Sequence, residues 1–337
     1  MAIGKGAARN FLLPFWKFYA ILCASSASGE AMSILSSSAA RAARILLAFC
    51  LILLPLRAGM ADTVTIRDFN ELSAFIEKNG YSLQKWRTQQ QPVPPYVILD
   101  IPDEWRLRVA PNLPVDEKKR TFLLLTVPLA LVANHALLQD RRKLLELENE
   151  TKEGRRMSPE DKNWLAGEGT RYGVSASLDT EEFWRELTHK MDLVPPSLML
   201  AQMIEESGWG TSRFTSEGNA FFGQWSYKSG IKPGEQRAAE KGDYRIAAFK
   251  APLDSVGAYL LNLNSNQAYA EFRAKRAHLR AAEKVPTGYD LVDTLINYSE
   301  RKETYVHLLR DIIARNDLAP FDHAELADER IKYLVLR

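Results

Sequence analysis

Cysteine is nearly missing from this chain: its 337 residues hold two, Cys23 and Cys50. Both precede residue 62, so the long remainder has no thiol for a disulfide, a zinc cluster or a nucleophile. Histidine is sparse as well, and His135, His189, His278, His307 and His323 lie scattered without the spacing of metal ligands. Neither a metal nor a cofactor is expected. No glycine-rich loop follows a strand to cradle phosphate, and no serine sits in a nucleophile elbow. A strong excess of one charge is lacking too; the net charge is +2, and nothing in that total calls for nucleic acid.

Long apolar runs are few. Residues 41–61, RAARILLAFCLILLPLRAGMA, place Arg41 and Arg44 before an apolar core from Ile45 to Leu56, too short to span a bilayer comfortably, and Gly59-Met60-Ala61 offers small residues for cleavage. The pattern is that of a secretory signal peptide, so residues 1–61 read as a leader and the mature chain as periplasmic or envelope-associated. Met32 would begin a leader of ordinary length. Cys50 is a poor lipid-anchor site, because Leu47-Ala48-Phe49 places a bulky residue where a small one is needed. The leader carries Lys5, Arg9, Lys17, Arg41, Arg44 and Arg57 against Glu30, so its removal turns the net charge slightly negative. A second apolar run, Phe122 to Val132, is also short for a membrane and suits a buried helix, so no stable span is expected after leader removal.

The rest divides by pattern. Residues 62–114 mix a helical stretch over Phe69 to Lys78, a proline-rich break and the strand-like Tyr96 to Ile101, as in an ordered arm or small module. Residues 115–182 form a helical extension whose first pattern, Val115 to about Glu150, is interrupted at Pro128. Residues 183–318 make a mostly α domain with a small hairpin or flap between Gly218 and Phe249, where Tyr244, Ile246 and Ala248 alternate. Residues 319–337 remain as a tail. The basic run Arg273, Lys275, Arg276, Arg280 and Lys284 reads as a solvated helix face.

The centre of that domain is Pro195-Pro196-Ser197-Leu198-Met199-Leu200-Ala201-Gln202-Met203-Ile204-Glu205-Glu206. Two prolines suit a helix start, Ser197 can help cap it, and the apolar residues on nearly every side mark a buried helix that Gly208 stops. Glu206 therefore leaves an apolar face at a helix C-terminus. Burial and the negative end of the helix dipole both disfavour its carboxylate and raise its pKa, as a general acid requires. Taken alone, an acidic pair is more often a solvated helix end. Here Ser207-Gly208-Trp209-Gly210 adds an indole in a tight turn, equally suited to packing in the core or to stacking on a sugar ring.

Gln202, Glu206-Ser207-Gly208-Trp209-Gly210 and Asn219-Ala220-Phe221-Phe222-Gly223 resemble the signature of the bacterial glucosaminidase domain, glycoside hydrolase family 73. The resemblance runs from about Phe183 to Leu318. It implies a lysozyme-like helical fold that cuts glycan strands of peptidoglycan, with Glu206 at the position of the catalytic acid. Glu117 to Phe122, Asn134 to Leu144, Asn262-Leu263-Asn264 with Ala268-Tyr269, and Tyr298-Ser299-Glu300-Arg301 are similar to the Bax-type subgroup. The family commonly has two asparagines where this chain has Asn219 followed by Ala220, so any role of a second amide is absent.

Glycoside cleavage usually needs a partner opposite the acid. The flap offers Glu235, Glu240 and Asp243, and the resemblance favours Glu240, which stands before Lys241-Gly242. Tyr298 matches a tyrosine near the family's cleft, although a packed core tyrosine would look the same. Gln202, Ser207, Trp209, Asn219, Phe222, Gly223, Trp225 and Tyr269 are the expected substrate-binding residues, with Asn219 suited to an N-acetylated sugar. The alternatives are a lytic transglycosylase, which needs one acid only, and a peptidoglycan-binding scaffold that holds glycan strands without cutting them.

Overall fold

The computed structural model describes residues 62–234, 242–328 and 330–337. The expected leader, with Met32 and Cys50, lies outside the described residues, and so do Glu235 and Glu240. Asp62–Arg337 form one compact unit. It begins with β1 (Asp62–Ile66), α1 (Phe69–Lys78), α2 (Leu83–Arg87), β2 (Tyr96–Ile98) and the long α3 (Val115–Lys152). Next come α4 (Pro159–Arg171), α5 (Glu181–Lys190), α6 (Pro196–Ser207) and α7 (Arg213–Gly218). A two-stranded flap, β3 (Trp225–Ser226) and β4 (Arg245–Ile246), precedes α8 (Pro252–Ser265), α9 (Ala270–Ala281), α10 (Gly288–Leu291), α11 (Glu303–Arg315) and β5 (Lys332–Leu336). The fold is mostly α, with few and small sheets.

The two ends of this unit meet. β5 is the central strand of a three-stranded parallel sheet, with Leu334 opposite Val64 of β1 on one side and Ile98 of β2 on the other. The segments that read as an arm and a tail thus complete one another's backbone hydrogen bonds, which neither could satisfy alone. α1 follows from its cap, because the Asp68 side chain accepts from the Glu71 N–H at 2.8 Å and Leu72 and Ile76 are buried one turn apart.

The interruption expected at Pro128 does not occur; α3 runs straight through it. Proline at that position has no N–H for the carbonyl of Leu124. The buried hydroxyl of Tyr96 donates to that carbonyl at 2.6 Å and so fills the gap. The middle of α3 is long and apolar enough by composition to cross a membrane, but most of that stretch is buried inside the fold. Asn134 fastens α3 to the chain before the central helix: its amide donates to Val194 O at 2.7 Å and accepts from Val194 N at 3.3 Å.

α6 is that central helix, and Leu198, Met199, Leu200, Ala201 and Met203 on it are fully buried. Each of the leucine and methionine side chains contributes about 1.5–3 kcal/mol of burial. Its N-terminus differs from the expected cap. Pro195 stands at the N-cap and Ser197 lies two residues inside, where its N–H and hydroxyl donate to the Asp322 carboxylate at 2.8 and 2.7 Å. A carboxylate from the far end of the chain caps the helix in place of its own serine. The other end stops where expected, at Gly208 with φ 58°. The basic run on α9 also departs from a solvated face, since Arg273 and Arg276 are buried with 3% and 1% exposure. Arg276 donates to the carbonyls of Asp192 and Leu193 and to Asn264 Oδ1 at 2.7–2.9 Å, tying α9 to the loop ahead of α6.

Candidate active site

The last turn of α6 brings Glu206 to the surface of the core, half-buried, directly below the loop that leads into the flap. A Cβ added to Gly223 would lie 3.7 Å from Glu206 Oε2, so this loop's backbone passes over the carboxyl. Gly223 has φ 58°, a conformation that costs other residues about 1–2 kcal/mol.

Beneath the carboxyl runs a chain of hydrogen bonds. Tyr259 of α8 donates to Gln202 Oε1 at 2.6 Å, Gln202 Nε2 donates to the Tyr305 oxygen at 3.0 Å, and Tyr305 of α11 donates to Glu206 Oε1 at 2.7 Å. Its direction is set by the donor inventory. Gln202 gives its N–H to Tyr305, so the single proton of Tyr305 goes to Glu206. Gln202 is fully buried, one turn before the acid, and lies under it in the network.

Stacked rings wall this network. Tyr298 lies parallel to Tyr305, with centroids 5.7 Å apart and planes 2° apart, and Phe222 stacks on Tyr259 at 4.0 Å. Tyr269 is 6.0 Å from Tyr298. The Tyr298 hydroxyl donates to Phe222 O at 3.4 Å, a long bond that links α11's approach to the loop over Glu206.

Burial in these surroundings pushes the Glu206 carboxyl above the usual carboxylate range. The Tyr305 hydrogen bond and the Arg301 charge oppose the rise, and Glu205 adds to it. Glu205 itself holds Arg301 at 2.7 Å. Burial also raises the phenol of Tyr305, followed by repulsion from Glu206, so the group stays protonated and keeps its donor role.

The remaining expected site residues are placed differently. Ser207 is buried; its hydroxyl donates to Met203 O and accepts from the Gly210 N–H at 2.9 Å, which locks the turn after the acid. Trp209 has φ 64° and packs edge-on against Phe122 of α3 at 5.5 Å, with Lys119 Nζ 5.3 Å from its ring centroid. Asn219 spends its amide on backbone: Nδ2 donates to Phe249 O and Lys250 O at 3.4 and 3.3 Å, and Oδ1 accepts from Ile101 N. It thereby ties the return of the flap and the N-terminal segment to α7. Trp225 stands on the flap, 47% exposed, with its ring stacked on Tyr244 at 4.4 Å. Tyr305 was not singled out from the sequence; it lies in the first turn of α11, separated from Tyr298 by a non-helical turn at Lys302. Among the described residues no cluster of acids and histidines could hold a metal ion.

This arrangement coincides with a known family. The glucosaminidase model, described as mannosyl-glycoprotein endo-β-N-acetylglucosaminidase, matches residues 181–318. Residues 181–318 belong to the glucosaminidase family. The chain is accordingly a glycoside hydrolase. The matched stretch begins at α5, ends just beyond α11 and includes every residue of the hydrogen-bond chain above. Protein bax of Escherichia coli (strain K12) is 29% identical over 195 residues, which covers 57% of this chain and 67% of that protein. A crystal structure of the catalytic domain of the autolysin Auto from Listeria monocytogenes aligns with 52% of this chain and 97% of its own, at 16% identity and a TM-score of 0.31.

Proposed function

We propose that this glucosaminidase domain hydrolyses β-N-acetylglucosaminyl bonds in the glycan strands of peptidoglycan, with Glu206 as the general acid. The observation that carries the reading is the Glu206 carboxyl itself: raised by burial, oriented by Tyr305, and reachable from the loop side at Gly223. Because Tyr305 donates to Oε1, the proton of the acid form belongs on Oε2, the oxygen beneath Gly223. A glycosidic oxygen approaching from that side meets the O–H directly. A pure glycan binder gains nothing from keeping a carboxyl desolvated, which argues against the scaffold reading.

The reading includes export by the leader and an envelope location, supported by the pattern of residues 41–61. It also assigns the partner group opposite Glu206 to Glu240. The lytic transglycosylase stays as the second reading because Glu205, the neighbouring carboxylate, is taken by Arg301 and offers no second catalytic group. The domain boundaries proposed are 62–114, 115–182, 183–318 and 319–337, with the first and last joined through the parallel sheet.

The test is turnover of purified cell-wall sacculi. Glu206→Gln lowers it by roughly a hundredfold or more, as loss of general-acid catalysis requires, while Glu205→Gln leaves it near wild type. Near-wild-type turnover by Glu206→Gln ends the assignment. Glu240→Gln at nearly full turnover ends the role of the flap carboxylate.

A further inference from the structure

Away from Glu206, α3, α5 and α9 flank an open cavity of about 390 Å³ whose lining includes Arg141, Arg185, Thr188, His189, Arg276 and Arg280. At its base lies Asp192, buried, with Arg280 at 2.7 Å, Arg276 at 3.8 Å and Arg141 at 3.9 Å. One carboxylate thus faces three guanidinium groups. The two other acids of the lining redress this only in part: Glu148 acts on Arg141 alone of the three. Glu148 is held by Lys152 at 2.7 Å, and Glu181 is exposed at the start of α5. Arg185 at the rim pairs with Glu182, outside the lining.

The surplus is felt within the cluster. Burial lowers the Arg276 guanidinium to about 10, and Arg141, Arg280 and Arg273 push it the same way against the pull of Asp192. His189 is also lowered, by burial and then by the surrounding arginines, so it lines the cavity as a neutral ring. Burying like charges around one counter-ion is costly unless more negative charge is supplied.

Donors are left over as well. Arg280 gives Nε and Nη2 to Asp192, and Arg141 gives Nη1 to the carbonyls of Thr188 and Met191, so each keeps N–H groups that no oxygen of the described residues takes. Thr188 Oγ1 is buried without a hydrogen-bond partner among the described residues. A buried hydroxyl left unpaired beside a polar cavity is destabilising unless a ligand or water meets it. A carboxylate has two oxygens and one charge, and Asp192 already fills that role. Leftover guanidinium donors with a hydroxyl beside them suit a group with three or more acceptor oxygens and about two charges.

We propose that this cavity is a binding site for a phosphoryl group, separate from the catalytic cleft. Its residues lie at the N-terminal side of α6 and Glu206 at the other end, about 15 Å along a helix of this length. Occupancy therefore stabilises the fold without contacting the acid, and the proposal stands whatever bond Glu206 cleaves.

Titration calorimetry on the full chain with inorganic phosphate, pyrophosphate and glycerol 1-phosphate tests it, with acetate, citrate and chloride at equal ionic strength as comparisons. Saturable binding of at least one phosphate compound, well above citrate, is the expected result. A preference for glycerol 1-phosphate points to a phosphate ester as the source, and a preference for inorganic phosphate or pyrophosphate to the free anion. Arg280→Gln, whose side chain is 36% exposed, weakens binding about tenfold or more. Thr188→Val removes only an unpartnered hydroxyl, so it leaves the fold and turnover intact and still weakens binding severalfold. Absence of binding by all three phosphate compounds, equal binding of citrate or acetate, or unchanged affinity in both variants overturns the proposal.

Discussion

Tyr305→Phe removes one hydroxyl and separates two things that the site does with Glu206. The lost donor is a 2.7 Å hydrogen bond to Oε1 that favours the carboxylate and so holds the carboxyl's rise in check. Hydrogen bonds to charged groups contribute about 1.5–3 kcal/mol, and about 1.4 kcal/mol is a tenfold change in an equilibrium. At any pH on the alkaline side, the protonated share of Glu206 should therefore grow roughly ten- to a hundredfold. Since a general acid works in its protonated form, the descending limb of the pH–rate profile moves to higher pH. Plateau turnover falls at the same time, because the carboxyl loses its anchor and a small misplacement costs up to about a hundredfold. Turnover of sacculi across pH for wild type, Tyr305→Phe and Tyr298→Phe is the assay. The hydrogen bond of Tyr298 runs to Phe222 O, so its phenylalanine variant leaves the limb where it was. A limb that stays or moves to lower pH in Tyr305→Phe refutes the direction of the hydrogen-bond chain, and an equal shift in Tyr298→Phe refutes its specificity.

Other outcomes follow from the same geometry. Glu206→Gln should stabilise the fold at neutral pH: the folded carboxyl titrates above its unfolded value of 4.5, so ionising it costs stability as pH rises from that value through the folded one. The gain, read as a higher Tm, should vanish near pH 4. Asp192→Asn runs the other way. Burial works to raise this carboxyl, but Arg276, Arg280 and Arg141 prevail and hold it low, so its stabilisation is complete above about pH 4 and is lost on acidification. Removing the carboxylate from beside three guanidinium groups should cost about 3–5 kcal/mol in denaturant unfolding. Gly223→Ala places a methyl against Oε2 in a left-handed backbone and should lower turnover while costing about 1–2 kcal/mol of stability. Trp225→Ala should raise KM about two- to tenfold with kcat retained, as expected if its exposed ring stacks on sugar at about 0.5–1.5 kcal/mol.

What the sequence made legible is the part that rests on local pattern. The apolar run ending at Glu206 and the glycine stop at 208 depend on neighbours within a turn, and both are found; the flap alternation holds at Tyr244 and Ile246, both buried, but not at Ala248, which is exposed beyond the two-residue strand. The parallel sheet was not legible, because its three strands pair across almost the whole chain and their short sequences show no register. Pro128 misled for a related reason: the carbonyl it leaves unpaired is satisfied by Tyr96, a residue of a different element. Within the candidate site the motif residues divide by what surrounds them. Gln202 and Glu206 meet through Tyr305, whereas the polar atoms of Ser207 and Asn219 are spent on backbone within the turn and the flap root. Residue type alone does not separate a hydroxyl or amide that faces a cleft from one that holds a loop.

The most direct test of the central claim is mass spectrometry of the fragments released from purified sacculi by the wild-type chain and by Glu206→Gln. Hydrolysis at β-N-acetylglucosaminyl bonds predicts fragments with N-acetylglucosamine at an intact reducing end, and almost none from the variant. Ring-closed anhydro-muramyl ends, or equal release by both proteins, would contradict it.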